Sequence, residues 1–500
     1  MMEELLWDVL WWFLVVIGGV VVVHLLLLFT LMQILYKSIK PAKPSHFQES
    51  QKEQLTSQYS SGDKGNAQVR AIFKYVPKLR EEVAWIPLTS SYPTPVHTIS
   101  LPISSLNKVG GGKDEGEEEG YVEILLKRED MSSYVYGGNK VRTLEFQLPC
   151  AYNGIREEIS TGGTLMVVGG PGSNQCVAVS VYSQQLKDKS VTVKSFYCVP
   201  EAPSFDNGLN MMSVLSFDVH LLQTWYYDVW KLLPCIFSTV VQHYFTKGFR
   251  VMPGGGANPV GALGHVGAIL EICEALGKNH PKTIFLPIGS GCTISGLVVG
   301  IAIARKLGLG FEGDLKEYKL KGVVIHQITN ALPFFAYSNI KGLVRDTAKL
   351  IKEKGDLDVT EEAKEVLSCV EIITGYAGSY GQETENMLLA REIFNEKNTT
   401  IVNDNENIKK PWLCSCFSGK AAAAFLYHLK NETKNHNNKK RHDLMLWCTK
   451  SLIQPVGENP FCPSSLKGRE GKEAKMGKWL SESKINTIED CKPVFTEVRQ

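Results

Sequence analysis

The sequence lacks the marks of several large protein classes. No Cys-x-x-Cys pair occurs among its 12 cysteines, and its 11 histidines do not cluster with them, so the ligand spacing of a zinc module is missing. It has no long run of lysine or arginine and almost no charge imbalance. With 54 basic against 52 acidic residues the net charge is +2, too balanced for a general nucleic-acid binder. Collagen-like and wholly disordered compositions are excluded by 44% apolar and 21% charged residues. At ~100–200 residues per domain, the 500-residue chain should form two to four units. Scattered, unpatterned cysteines predict reduced thiols on the cytosolic side of a membrane.

Charge is missing altogether from residues 9–36, a stretch of 28 mostly apolar residues. About 20 such residues span a bilayer core. The eight residues before it are acidic rather than basic (Glu3, Glu4, Asp8), and no small-residue cleavage site follows, so the stretch predicts an uncleaved transmembrane anchor rather than a signal peptide. Lys37, Lys40 and Lys43 lie just past it and no lysine or arginine lies before it, which predicts a single-pass membrane protein with its C-terminal part in the cytosol. His24, uncharged within the span, carries no functional expectation.

Residues 37–80 predict a flexible linker, rich in Ser, Gln, Lys and Pro, with regular patterning starting near Val69. The acidic, glycine-rich run 110–120 predicts a solvated surface insertion, and residues 456–500 a disordered tail. Between these limits β-rich runs alternate with helical periodicity. Strands are expected at 121–126, 165–168, 191–199, 219–222, 283–287, 321–327 and 444–448, and helices at 177–186, 261–276, 294–307, 383–394 and 418–429. The alternation predicts an α/β fold with a parallel sheet covered on both faces, and a ligand beyond the carboxyl ends of the strands.

Three loops hold the candidate chemistry. In Gly137-Gly138-Asn139-Lys140, two glycines allow close backbone approach and a lysine opens a helix. A helix N-terminus disfavours an ammonium, so Lys140 is placed to lose its proton, as a Schiff base requires. Taken alone the same four residues also suit a surface turn. The second loop, 169–175, runs from a strand into a helix, and its Ser173 and Asn174 are either site residues or plain helix caps. The third, Gly289-Ser290-Gly291-Cys292-Thr293, has the composition of an anion nest at a helix N-terminus, and is neither a P-loop nor a dinucleotide-binding turn.

Together these loops resemble the tryptophan-synthase-β-like pyridoxal-phosphate enzymes, and within them the 1-aminocyclopropane-1-carboxylate deaminase/D-cysteine desulfhydrase family. The resemblance covers about residues 85–449. It rests on Pro93-Thr94-Pro95, Lys127-Arg128-Glu129-Asp130, the lysine loop with Arg142 and Leu144-Glu145, Ser173-Asn174-Gln175, and Asn258-Pro259-Val260-Gly261-Ala262-Leu263-Gly264. The third loop, Tyr380-Gly381 and Ser418-Gly419-Lys420-Ala421 complete it. It implies two α/β domains over residues 81–455, the smaller at about 143–261, with pyridoxal 5'-phosphate in the cleft between them. Lys140 would bind the cofactor through a Schiff base, Asn174 would meet its 3-oxygen, and Gly289, Ser290, Gly291, Cys292 and Thr293 its phosphate. Ser418 would face the pyridine nitrogen, Ser173 the substrate, and Tyr380 would lie over the substrate as an acid/base. A homodimer is left open.

Family members that open the cyclopropane ring carry Tyr-Glu-Gly-Lys where this chain has Phe417-Ser418-Gly419-Lys420. The resemblance therefore implies lyase chemistry on a small amino acid, D-cysteine first. Cyclopropane deamination and a membrane-tethered scaffold or sensor without catalysis remain as alternatives. Other departures are Thr143, Cys176-Val177, Cys414-Ser415 and Trp447-Cys448-Thr449-Lys450 in place of the usual His-Thr-Gly-Gly.

Overall fold

The computed structural model describes residues 34–45, 70–110, 120–160, 162–186, 190–199, 203–217, 220–225, 229–402, 408–433, 440–455 and 479–483, and upstream of these residues 23, 27, 30 and 31. Their strands form two sheets. Seven strands make the larger: β1 (Val96–Pro102), β2 (Tyr121–Arg128), β7 (Thr283–Ile288), β8 (Lys319–Val324), β9 (Val370–Ile373), β10 (Thr400–Val402) and β11 (Lys440–Cys448), in the order β10-β1-β2-β11-β7-β8-β9. The smaller sheet is β5-β4-β3-β6, built from β3 (Gly163–Gly169), β4 (Val191–Val199), β5 (His220–Trp225) and β6 (Phe249–Met252). All pairings are parallel except those of β1 with β2 and β10.

The longer helices are α1 (Asn139–Glu158), α2 (Asn174–Gln185), α3 (Phe205–Ser216), α4 (Val229–Phe245), α5 (Pro259–Leu276), α6 (Cys292–Lys306), α7 (Pro333–Gly355), α8 (Glu385–Asn395) and α9 (Ser418–Thr433). Local chemistry sets their starts. Ser173 caps α2, its hydroxyl accepting the Cys176 N–H, and Asn258 caps α5, followed by Pro259 in the first turn. Pro259–Asn279, around α5, is long and apolar enough to cross a membrane, but 78% of its most apolar window is buried inside the fold, so it is a core helix. Every residue of β7 after Thr283 is buried, as expected for a parallel strand covered on both faces.

The smaller sheet falls inside the 143–261 unit expected for the smaller domain, and the larger sheet draws on both flanks. The mostly parallel strands form two sheets, and β1 enters the larger one antiparallel. The strand expected at 321–327 ends at Val324, and Gln327 already begins a helical turn.

The expected anchor, 9–36, and the acidic insertion, 110–120, lie largely outside the described residues. The expected linker is ordered at both ends. Ser38 and Ile39 are buried, and a helical turn at Ala71–Tyr75 packs Ile72 and Phe73 into the core. Within the expected disordered tail, Trp479 and Leu480 are buried in the same core. In both segments a few apolar side chains amid polar sequence find a hydrophobic surface made by distant residues.

Candidate active site

The loops that close β3 and β7 and the start of α1 meet in one cavity of about 530 Å³. Lys140 is the second residue of α1, and Gly138 before it has φ +91°. A Cβ at Gly138 would stand 2.6 Å from the Thr449 carbonyl oxygen, so only glycine admits this turn. Lys140 is buried at 7% exposure, and its Nζ donates to the Gly255 carbonyl at 2.8 Å. Burial lowers its pKa, against a smaller opposing effect from the Cys292 thiol. Burial also raises the Cys292 pKa, which keeps that thiol protonated and leaves the lysine as the nucleophile of this corner.

Across the cavity is the third loop. Gly291, at φ +83°, is the left-handed residue before α6, and a Cβ there would come within 2.9 Å of Ile340 Cγ1. The N–H groups of the first turn of α6, of which Cys292 N–H reaches Ser290 Oγ at 3.5 Å, and the two glycines make a cradle suited to an anion. Asn139 Nδ2 donates to Thr293 Oγ1 at 2.9 Å, which joins the lysine turn to this cradle.

Asn174 is oriented by its neighbours. Its Oδ1 receives Tyr136 Oη (3.1 Å), Asn210 Nδ2 (2.9 Å) and Lys450 Nζ (3.4 Å). Three donors on the oxygen leave the Nδ2 side for the cavity, where it can donate to an oxyanion. Ser173 lines the cavity too, with its hydroxyl partly engaged as the α2 cap (3.3 Å). Tyr380 lines the far wall. Its ring stacks on His326 with centroids 4.7 Å apart and meets Phe417 edge-on at 5.5 Å, and its hydroxyl donates to Gly172 O at 3.4 Å. Burial, aided by the Lys420 charge, lowers the His326 pKa to about 4, so this imidazole is neutral near pH 7.

Ser418 departs from its expected place. Its hydroxyl donates to the Trp412 carbonyl at 2.9 Å and accepts the Cys414 N–H at 3.0 Å, in the turn that starts α9. The cavity wall there is Phe417, because the turn that uses the Ser418 side chain as a cap swings the preceding residue inward.

Other motif residues serve beneath the site. Arg142 donates to Glu271 (2.6 and 2.8 Å), to Glu129 (2.5 Å) and to Thr94 Oγ1 (2.7 Å), and Lys127 reaches Glu271 at 3.3 Å. All five are buried. Burial alone would raise the Glu271 pKa, yet Arg142 and Lys127 hold it at about 2. Sequence reasoning missed Tyr136, Asn210, His326 and the orienting role of Lys450. Lys450 was visible as a departure from the family pattern, whereas the others stood in no motif.

Residues 106–308 match the family model for pyridoxal-phosphate-dependent enzymes. The chain is 28% identical over 298 residues to a probable 1-aminocyclopropane-1-carboxylate deaminase of Schizosaccharomyces pombe, covering 57% of this chain and 77% of that one. It is 29% identical over 314 residues to the 1-aminocyclopropane-1-carboxylate deaminase of Ralstonia nicotianae, covering 61% and 80%. A bifunctional D-cysteine desulfhydrase/1-aminocyclopropane-1-carboxylate deaminase of Arabidopsis thaliana is 28% identical over 221 residues, 43% of this chain and 50% of that one. A crystal structure of a 1-aminocyclopropane-1-carboxylate deaminase homologue aligns with a TM-score of 0.49 at 18% identity, over 77% of this chain and 95% of that chain.

The cavity fits pyridoxal phosphate on its own chemistry: a buried lysine of lowered pKa for the aldehyde, the α6 cradle for the phosphate, and an amide donor for the ring oxygen. Family match and site geometry agree: residues 106–308 are similar to the pyridoxal-phosphate-dependent enzymes, and the cavity they help to form suits that cofactor.

Proposed function

We propose that this enzyme is a lyase acting on D-cysteine, converting it with one water to pyruvate, hydrogen sulfide and ammonia. The observation that carries the reading is the wall at Phe417. An aromatic ring without a hydroxyl lines the cavity, none of the described lining residues is a carboxylate, and the Ser418 hydroxyl is turned to Trp412. When bound, the cofactor supplies an electron sink for the electrons left at the substrate α-carbon.

The protein's own groups do the rest. Lys140, with its lowered pKa, holds the cofactor and can take or return the α-proton at Nζ. Ser173 and Tyr380 line the same cavity, so a substrate of D configuration that turns its α-proton away from Lys140 meets a hydroxyl-bearing residue. Asn174 Nδ2 orients the ring through its oxygen, and the neutral His326 ring holds Tyr380 in place by stacking. β-Elimination suits this set. Thiolate leaves readily, so the wall need not protonate the leaving group, whereas carbon–carbon bond cleavage needs an acid where Phe417 stands.

A second reading, deamination of 1-aminocyclopropane-1-carboxylate to 2-oxobutanoate and ammonia, is favoured by the names of the relatives. A product screen of the full-length protein in detergent decides. Sulfide and pyruvate from D-cysteine, with little 2-oxobutanoate from the cyclopropane acid, is the expected outcome. Faster ring opening than desulfuration would overturn the reading, and inactivity on both with cofactor bound would favour a non-catalytic role.

We also propose that residues 9–36 anchor the enzyme in a membrane with its catalytic part in the cytosol. The lysines at 37, 40 and 43 support this. Among the described residues, Val23 and Leu27 are 56% and 48% exposed. Leu31 and Ile34 pack beside Ile236 and Val240 of α4, whose outer face exposes Phe237, Val241, Tyr244 and Phe245. An apolar face next to the anchor suits the lipid interface. The 22 residues from 9 to 30 are enough to span a ~30 Å core. Carbonate-resistant membrane association of the full chain is expected, and release by carbonate would refute the anchor.

A further inference from the structure

The residues that end the charge-free stretch run into the cofactor cavity. Leu35 and Ile39 are buried at 1% and 2% exposure. Ser38 Oγ accepts the Val251 N–H at 2.8 Å, and the Ala84 N–H donates to Ala42 O at 2.7 Å. Asn258 takes a double role. Its Oδ1 caps α5, while its Nδ2 donates to the carbonyls of Tyr36 (2.6 Å) and Ile39 (3.0 Å). Asn153 Nδ2 holds the Lys43 carbonyl at 2.9 Å. The segment is thus tied to β6, α5 and α1.

This docking sets Tyr36 in the cavity wall, with Gly255, Ser290 and Gly291. Its phenol lies within interaction range of the Asn339 side chain on α7. Asn339 Nδ2 in turn donates to the Ser290 carbonyl at 3.1 Å. Ser290 Oγ donates to Gly255 O at 3.2 Å, the same carbonyl that receives Lys140 Nζ at 2.8 Å. The carbonyl of Ser290 and the N–H of Gly291 belong to one trans peptide and point in opposite directions. Holding the carbonyl toward α7 therefore aims the Gly291 N–H to the other side, where the cradle opens.

We propose that Tyr36 is a positioning residue for the phosphate loop, so that the membrane-proximal segment supplies one wall of the cofactor site. The inference rests on the reading of residues 289–293 as that loop. It makes the N-terminal segment part of the active site as well as a candidate anchor. Losing the phenol hydroxyl removes one restraint on the Asn339 side chain that holds the Ser290 carbonyl, so the Ser290–Gly291 peptide is held less firmly.

The test uses the full chain in detergent, stripped of cofactor and titrated with pyridoxal phosphate by the absorbance of the lysine-bound form. Tyr36→Phe should weaken binding about three- to tenfold, the range for one hydrogen bond. Asn339→Ala should weaken it at least as much, and Tyr36→Phe should add nothing on that background. Lys37→Ala, at an exposed neighbour, should bind as the wild type does. At saturating cofactor the Tyr36→Phe turnover should return to within about twofold of wild type, which a misfolded protein could not do. Wild-type affinity in both Tyr36→Phe and Tyr36→Ala, or full additivity with Asn339→Ala, would overturn the proposal while leaving the lyase reading intact. A wild-type chain that forms no lysine-bound cofactor would sink both.

Discussion

Gly291→Asp, measured against Gly291→Ala, tests the phosphate cradle with separable terms. Both substitutions place a Cβ at φ +83°, where a left-handed side chain costs roughly 1–2 kcal/mol, less for aspartate. Both also press on Ile340 Cγ1, 2.9 Å from the new Cβ and buried in α7. Alanine therefore carries the steric cost alone. Aspartate adds a charge beside the phosphate. Even at the dielectric constant of water, a unit charge about 5 Å from a dianion costs ~1.7 kcal/mol, and the partly dry cavity raises this. Tenfold in affinity is about 1.4 kcal/mol, so a further tenfold loss beyond alanine is a lower bound. Cofactor titration of the stripped full-length variants reads the difference, with thermal unfolding alongside to register the shared strain. Aspartate binding within twofold of alanine would mean that the phosphate does not sit at residues 289–293.

Lys140→Ala should abolish the borohydride-reducible cofactor adduct while leaving the fold intact, and an adduct mapping to Lys420 would refute the assignment. Because burial lowers the Lys140 pKa, cofactor capture by the stripped enzyme should rise with pH and level off below the ordinary lysine range of about 10.4. Arg142→Ala leaves Glu129 and Glu271 buried with only Lys127 to balance them, and should cost ~3–5 kcal/mol in denaturant unfolding. The depressed Glu271 pKa contributes stability above about 4.5 that is lost as pH falls toward about 2, so the deficit of this variant should narrow over that interval, and a pH-independent deficit would refute the electrostatic account. The sequons at Asn398 and Asn431 should remain unglycosylated in cells, and glycan on either would reverse the proposed orientation.

The alternation of apolar runs and helical periods determined the α/β class, and glycine, serine and asparagine at strand ends marked Lys140, Asn174 and the 289–293 loop. Such positions are legible because their chemistry is local: a left-handed turn needs glycine, and a helix start needs a cap. What the tertiary structure decided depends on distant partners. The division into two sheets follows from which strands pair, and no single segment records its neighbour. Ser418 reads as a site residue in its motif, yet the turn before α9 spends its hydroxyl on Trp412 and presents Phe417 instead. Glu129, Arg142 and Glu271, spread over 143 positions, became one buried charge cluster only on folding. Tyr36 closes the apolar, charge-free stretch, and the hydrogen bonds of Asn258 to the carbonyls of Tyr36 and Ile39 help to bring it to the cavity. Local backbone geometry is written in neighbouring residues, whereas burial and pairing depend on surfaces that exist only once the chain has folded.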